Sequence, residues 1–108
     1  MKMETIKLHS LESRIKRIKK ELIGIGEMRP GSLTRQNRGP GKAVSYYQLS
    51  YTHQMKGHTE YVRGEFAATV KRQIAAYKKF KSLTEEWIQI AIRYSKMKMD
   101  ASKRRGSG

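Results

Sequence analysis

Two histidines, His53 and His58, and four tyrosines, Tyr46, Tyr47, Tyr51 and Tyr61, crowd into one short stretch of this chain. A tyrosine nucleophile beside a histidine-bound metal is the first chemistry to weigh. That chemistry needs adjacent, well-fixed ligands. Here the two histidines flank a turn, where a surface or phosphate-contacting histidine is the simpler reading. Metal-assisted phosphoryl transfer would need clustered carboxylates. Most of the nine acids fall on segments predicted to be helical, amid basic neighbours that explain them as ion-pair partners. Only Glu60 and Glu65 lie near the turn. Gly41-Lys42 tests for a P-loop, which would demand Gly at position 36 and Ser or Thr at 43. The chain has Gln36 and Ala43 there and no strand before them, so this motif is absent. The residues assign no catalytic group, no metal and no cofactor, and the expectation is a non-enzymatic protein.

Charge points to a different chemistry. Lys and Arg number 24 against nine Asp and Glu, a formal net charge of +15 on 108 residues. A compact chain with that imbalance repels itself unless a polyanion neutralises it. Nucleic acid fits, because each cation that meets a phosphate releases condensed counterions. The basic residues are spread over every segment, so the footprint reads as a broad surface rather than a detachable arm.

Three groups of residues are candidates for that contact. The Gly/Pro-rich loop over 27–44 carries Arg29, Arg35, Gln36, Asn37, Arg38 and Lys42, donors suited to a phosphate backbone. The stretch from Ser45 alternates with period two, so Tyr46, Gln48, Ser50 and Thr52 share one face and Tyr47, Leu49 and Tyr51 the other. A two-stranded ribbon fits the DNA major groove, and the polar face holds residue types that touch base edges. Stacking of tyrosines on unpaired bases is the RNA or single-strand version of the same surface. Lys56 and His58 lie at the expected turn, and Lys71, Arg72, Lys78 and Lys79 on the helical segment that follows.

The elements that must position these residues follow from periodicity. Leu8, Leu11, Ile15, Ile18, Leu22 and Ile25 are spaced 3, 4, 3, 4, 3, which predicts a helix over 5–23 stopped by Gly24 and Gly26. The stripe is either packed on its own domain or an intermolecular coiled coil. Ser32-Leu33-Thr34 has room for a short strand. Residues 45–63 predict a hairpin turning through Met55–His58, with Gly57 supplying the unusual backbone angle. Residues 65–98 predict one long helix, or two meeting near a capping box at Ser82-Leu83-Thr84-Glu85. Phe66, Tyr77, Phe80, Trp87 and Tyr94 recur at helical spacing and read as core. The expected fold is α+β: an N-terminal amphipathic helix, a central β-hairpin with room for a small third strand, and a long C-terminal helix or helix pair.

Length and composition predict a single basic domain over 1–99, followed by a frayed basic tail over 100–108 ending in an appended linker. With no cysteine there is no disulfide framework. No apolar run approaches the length that spans a bilayer. The opening Met1-Lys2-Met3-Glu4 lacks the apolar core of a signal peptide. The expected location is cytoplasmic, on the nucleoid if the partner is DNA. A small core and a long aromatic stripe also predict a homodimer or higher homo-oligomer, packed through Leu8, Leu11, Ile15, Ile18, Leu22, Phe80, Trp87 and Tyr94.

Met28-Arg29-Pro30-Gly31-Ser32-Leu33-Thr34-Arg35-Gln36, Tyr46-Tyr47-Gln48-Leu49-Ser50-Tyr51, Thr59-Glu60-Tyr61-Val62-Arg63 and Leu83-Thr84-Glu85-Glu86-Trp87 carry a resemblance. Over about residues 25–98 the chain resembles a family of small basic bacterial and archaeal proteins of unknown function. Members are often found near mobile elements, and some are labelled transposase-like. Other branches carry cysteines in the Gly-rich loop, absent here, and Gly64 stands where the family pattern has proline. The hairpin-then-helix order is also similar, at fold level only, to the small DNA-binding modules of phage-type integrases, which usually have three strands and one helix. The resulting expectation is double-stranded DNA binding, as an accessory protein of a mobile element. An RNA-binding subunit of a ribonucleoprotein, and a helical oligomerisation protein with an acidic protein partner, are the alternatives.

Overall fold

The computed structural model describes residues 3–37 and 45–106. Helix α1 spans Met3–Ile23, strand β1 Ser32–Asn37, strand β2 Ser45–His53 and strand β3 Lys56–Arg63. A 3-10 turn, Gly64–Phe66, leads into helix α2, Ala67–Gly106. The architecture is α+β, with one antiparallel sheet in the order β1-β2-β3. Arg38 and Lys42 lie outside the described residues.

The chain divides into two compact units, where the sequence suggests one domain. The helical unit is Met1–Ile25 with Phe80–Gly108, and the sheet unit is Gly26–Lys79.

In the helical unit the 3,4-spaced stripe of α1 lies against the later half of α2. Leu11, Ile18, Leu83 and Ile90 are buried, and Ile15, Leu22, Trp87, Tyr94 and Met97 pack around them. The helices run antiparallel: Glu12 meets Tyr94, whereas Arg14 and Arg17 meet Glu86. Helix α1 ends where Gly24 and Ile25 donate backbone hydrogen bonds to the Glu21 and Leu22 carbonyls, each 3.1 Å long. These bonds tighten the last turn and satisfy carbonyls that helix termini leave open.

In the sheet unit Leu49, Val62, Val70 and Ile74 form the core, with Leu33, Tyr47 and Tyr51 packed on it. The inner face of the sheet, alternating along β2, therefore lies on the first turns of α2. Leu33 pairs with Leu49 and Tyr47 with Val62 across the ladders, so all three strands contribute. Gly31 makes the entry to β1. Its φ is +142°, and a Cβ there would sit 2.6 Å from Leu49 Cδ1. Arg29 donates its backbone N–H to the Gln73 carbonyl at 3.0 Å, which ties the segment before β1 to α2.

Two expectations about the elements, the hairpin turn and the frayed tail, are corrected, and two left open, the third strand and the unity of the last helix, are resolved. The hairpin turns at Gln54 and Met55, with φ of 52° and 65°, and Gly57 is an ordinary β3 residue paired with Thr52. Turn propensity favoured the glycine, but the ladder pairs His53 with Lys56 and leaves only two residues to close it. The third strand is six residues long, because its alternation continues through Arg35 and Gln36. Helix α2 passes through Ser82 without a break. Residues 67–105 contain no glycine or proline, and Thr84 Oγ1 donates within the helix to the Phe80 and Lys81 carbonyls at 2.9 and 3.0 Å. The basic tail is helical to Gly106 rather than frayed after Met99.

Candidate functional site

The register of the sheet assembles a second face opposite the core. On β2 it carries Tyr46, Gln48, Ser50 and Thr52, as alternation predicts. Cross-strand partners share a face, so Gln36, Thr34 and Ser32 of β1 join Tyr46, Gln48 and Ser50 in turn. From β3, Arg63, Tyr61, Thr59 and Gly57 lie beside Tyr46, Gln48, Ser50 and Thr52. Neither Asp nor Glu sits on this face. Its one cation is Arg63, which reaches Glu65 of the adjoining 3-10 turn at 3.6 Å while 83% exposed. Tyr61 is 76% exposed and stands edge-on to Tyr46, with ring centroids 5.4 Å apart. The described strand residues of this face are thus hydroxyls, amides, two phenol rings and Arg63, with no carboxylate among them.

Thr34, Thr59, Tyr61 and Arg63 were not among the nucleic-acid candidates drawn from the sequence. The period-two run Thr59–Arg63 carried the signal, but only the pairing register shows which of its residues share the face of Gln48.

The remaining sequence candidates do not all converge here. Arg29, a nucleic-acid candidate from the sequence, is engaged by Glu60 and Tyr51 within the sheet unit. Its guanidinium lies 2.6 Å from a Glu60 carboxylate oxygen and 5.1 Å from the centroid of the Tyr51 ring it covers. The Tyr51 hydroxyl donates to the same carboxylate at 3.0 Å. The hydrogen bond from Arg29, then that from Tyr51, holds Glu60 below the usual carboxylate range, and Glu60 in turn raises Arg29. His58 stacks on Tyr51 at 4.9 Å between centroids, whereas His53 is paired with Lys56. The two histidines thus occupy the inner-face register, His58 opposite Tyr51 and His53 two residues further along β2. No group of three His, Cys, Asp or Glu that could hold a metal occurs among the described residues.

Helix α2 divides its cations. Lys71 lies 5.5 Å from the centroid of the Tyr47 ring, on the flank next to the sheet, and Lys78 falls two turns on along that flank. At about 100° per residue, Arg72 and Lys79 face away from Val70 and Ile74. They are on the opposite side of the sheet unit from Gln48 and Ser50, and one rigid duplex cannot lie on both sides. Arg72 instead donates to Thr69 Oγ1 at 3.2 Å. Arg35 and Arg63 occupy the two edge strands at neighbouring register positions, opposite Tyr47 and Tyr46.

The residues expected to form an oligomer interface are largely used inside one chain. Leu11 and Ile18 are 4% and 0% exposed against Leu83 and Ile90. Trp87 carries Lys19 over its ring at 5.3 Å, and Tyr94 donates to Glu12 at 2.6 Å. The uncovered stripe that argued for a homodimer is therefore covered by α2 itself. Outside this core, Ile88, Ile92 and Met99 are more than half exposed on the far side of α2. No helix is long and apolar enough to cross a membrane among the described residues.

No family model, curated protein or solved structure matches the chain.

Proposed function

We propose that the sheet unit binds double-stranded DNA through the outer face of its sheet, without catalysing a reaction. The carboxylate-free face of Gln48, Ser50, Thr52, Thr34 and Tyr61, on a chain of net charge +15, carries this reading. Uncharged donors and acceptors suit base edges, and a ribbon such as β2–β3 matches the width of the major groove. Arg63, at the edge of the outer face, suits a phosphate contact there, whereas Arg35 shares the inner-face register of Tyr47. Three antiparallel strands followed by a packed helix are also the element set of the integrase-type modules, a fold-level analogy only. An accessory role at a mobile element is the setting suggested by the family resemblance.

The test is a salt-titrated binding assay against duplex DNA, single-stranded DNA and structured RNA in parallel. Duplex should bind tightest, with a log–log slope of about −0.9 per phosphate neutralised and about 4–8 phosphates in all. R63A should lower the magnitude of that slope by about 1 across all sequences, and Q48A should change preference between sequences instead. R14A and R17A, whose guanidiniums both face Glu86 in the helical unit, should leave the sequence preference untouched. Tighter binding to structured RNA would move the assignment to the ribonucleoprotein reading. A flat salt dependence, or no binding to any of the three, would overturn the reading in favour of an acidic protein partner.

A further inference from the structure

Strands β2 and β3 extend past the end of β1, whose last pairing on this side is Ser32 with Ser50. Beyond Ser50 the sheet is a two-stranded arm, and every residue of Thr52–Tyr61 is exposed. At about 3.4 Å per residue the arm projects roughly 10 Å beyond β1 before it turns.

The turn contradicts its own chemistry. A two-residue turn with positive φ at both positions is the type for which Asn-Gly or Asp-Gly is strongly preferred. Here Gln54 and Met55 adopt φ of 52° and 65°. Side chains with a Cβ are disfavoured there, and neither is glycine, asparagine or aspartate. Met55 is moreover 98% exposed, so an unbranched apolar side chain stands in solvent at the tip. Both features cost stability, and backbone strain of this kind concentrates where function holds it.

Gly57, two residues on, contradicts its place in the opposite sense. It lies in a strand, where glycine weakens the ladder, and its φ is not in the left-handed region. A Cβ there would meet nothing within 4 Å. No described neighbour requires glycine at this position, whereas close approach by a bound molecule would.

We infer that the arm is a wedge: Met55 inserts between neighbouring base pairs of duplex DNA while a strand of the duplex passes close over Gly57, kinking the helix. This rests on the DNA-binding reading above and adds a distortion to it. Apolar side chains that minor-groove proteins insert at base steps unstack them and bend the duplex by about 20–90°, and insertion from the groove that holds the ribbon unstacks a step in the same way. Methionine suits the task, being flexible and polarizable enough to fill an irregular gap. Lys56 at the base of the turn meets the phosphates that crowd together at a kink. Flexible pyrimidine–purine steps, and steps already broken by a nick or mismatch, are the cheapest to open.

The experiment uses the full chain and a duplex carrying a fluorophore at each end, with energy transfer reading the bend and anisotropy reading binding. Wild type should bend the duplex and prefer a nicked or mismatched duplex to an intact one. M55G should melt at a higher temperature, because it relieves the strain, yet should bind without bending and lose the preference. M55L, which keeps the apolar bulk, should retain the bend, and G57V should fold but lose it. Wild-type binding without a bend, or a bend that survives in M55G, overturns the wedge and leaves the DNA-binding reading standing. Absence of duplex binding by wild type overturns both.

Discussion

The helical unit and the sheet unit each contain 54 residues, and each is strongly basic, yet they spend their polar groups differently. In the helical unit, side chains close on one another across α1 and α2: Arg14 and Arg17 reach Glu86, Tyr94 reaches Glu12, and Lys19 lies over Trp87. In the sheet unit one side is tied together by Arg29, Glu60, Tyr51 and His58, and the other is left open. The open side has no carboxylate and ends in a strained, exposed tip. A helical hairpin can bury a 3,4-spaced stripe and satisfy its backbone internally. A three-stranded sheet with one covering helix always leaves a face over, and the residues on that face determine what it can meet.

The largest effects should come from breaking each core separately. Ile18 and Leu49 are both 0% exposed, one in each unit. Truncating either to alanine should cost about 2–5 kcal/mol, the usual range for a buried branched side chain. Hydrogen exchange separates the two outcomes. I18A should strip protection from α1 and leave β2 and β3 protected, and L49A should do the reverse. Equal loss everywhere in both variants would mean one cooperative body, and the comparison of two units would fail.

A pair of glycines sharpens the contrast at smaller scale. Gly31 combines a φ of +142° with a would-be Cβ contact of 3.1 Å to the Ser50 carbonyl oxygen, besides the closer one to Leu49. Alanine there meets backbone on one side and the core on the other, and G31A should destabilise by about 1–3 kcal/mol. Gly24, at the end of α1, would place a Cβ 3.4 Å from the Glu21 carbonyl oxygen, an ordinary contact at the edge of tightness. G24A should therefore stay within about 0.5 kcal/mol of wild type. Urea denaturation of both variants checks the difference, and equal effects would show that Gly31 is not the strained position.

What was legible in the sequence was periodicity. The 3,4 spacing from Leu8 to Ile25 and the alternation from Ser45 to Thr52 specify which face of each element is apolar, since a helix and a strand repeat on different periods. They do not specify the partner. A heptad stripe is equally satisfied by a second chain or by residues 83–97 of its own, and only the fold chose the latter. The polar candidates divide in the same way. Gln48 and Ser50 were found because they alternate with Leu49. Thr59, and the place of Tyr61 beside Gln48, were not legible because the face depends on register, which the two-residue turn at Gln54 and Met55 sets and a turn centred on Gly57 would have set otherwise. Arg29 looked like a loop cation until the fold brought it to Glu60, half the sheet away in sequence. Pairing at long separation leaves no local signature.

The smallest effects should appear in pH. Among the described residues, Glu60 and Glu12 are the carboxylates held below the usual range, the first by Arg29 and Tyr51, the second by the Tyr94 hydroxyl. A carboxylate whose pKa is lower when folded than when unfolded binds fewer protons in the native state. It therefore stabilises the native state above the unfolded value, and the contribution disappears as pH falls through the lowered one. Both groups are largely open to solvent, so screening keeps each contribution small. E60Q and E12Q should be slightly less stable than wild type at neutral pH and should converge on it in acid, below the ordinary carboxylate range. Tyr94 is raised by the same hydrogen bond from which Glu12 is lowered, so Y94F should abolish the pH dependence assigned to Glu12 and leave that of Glu60 unchanged. If E60Q also released Arg29 to bind phosphate, duplex affinity would rise at neutral pH while stability fell. That divergence would show that the inner, self-paired side of the sheet unit holds a cation back from DNA. Parallel changes in affinity and stability would show instead that the Arg29–Glu60 pair acts only on the fold.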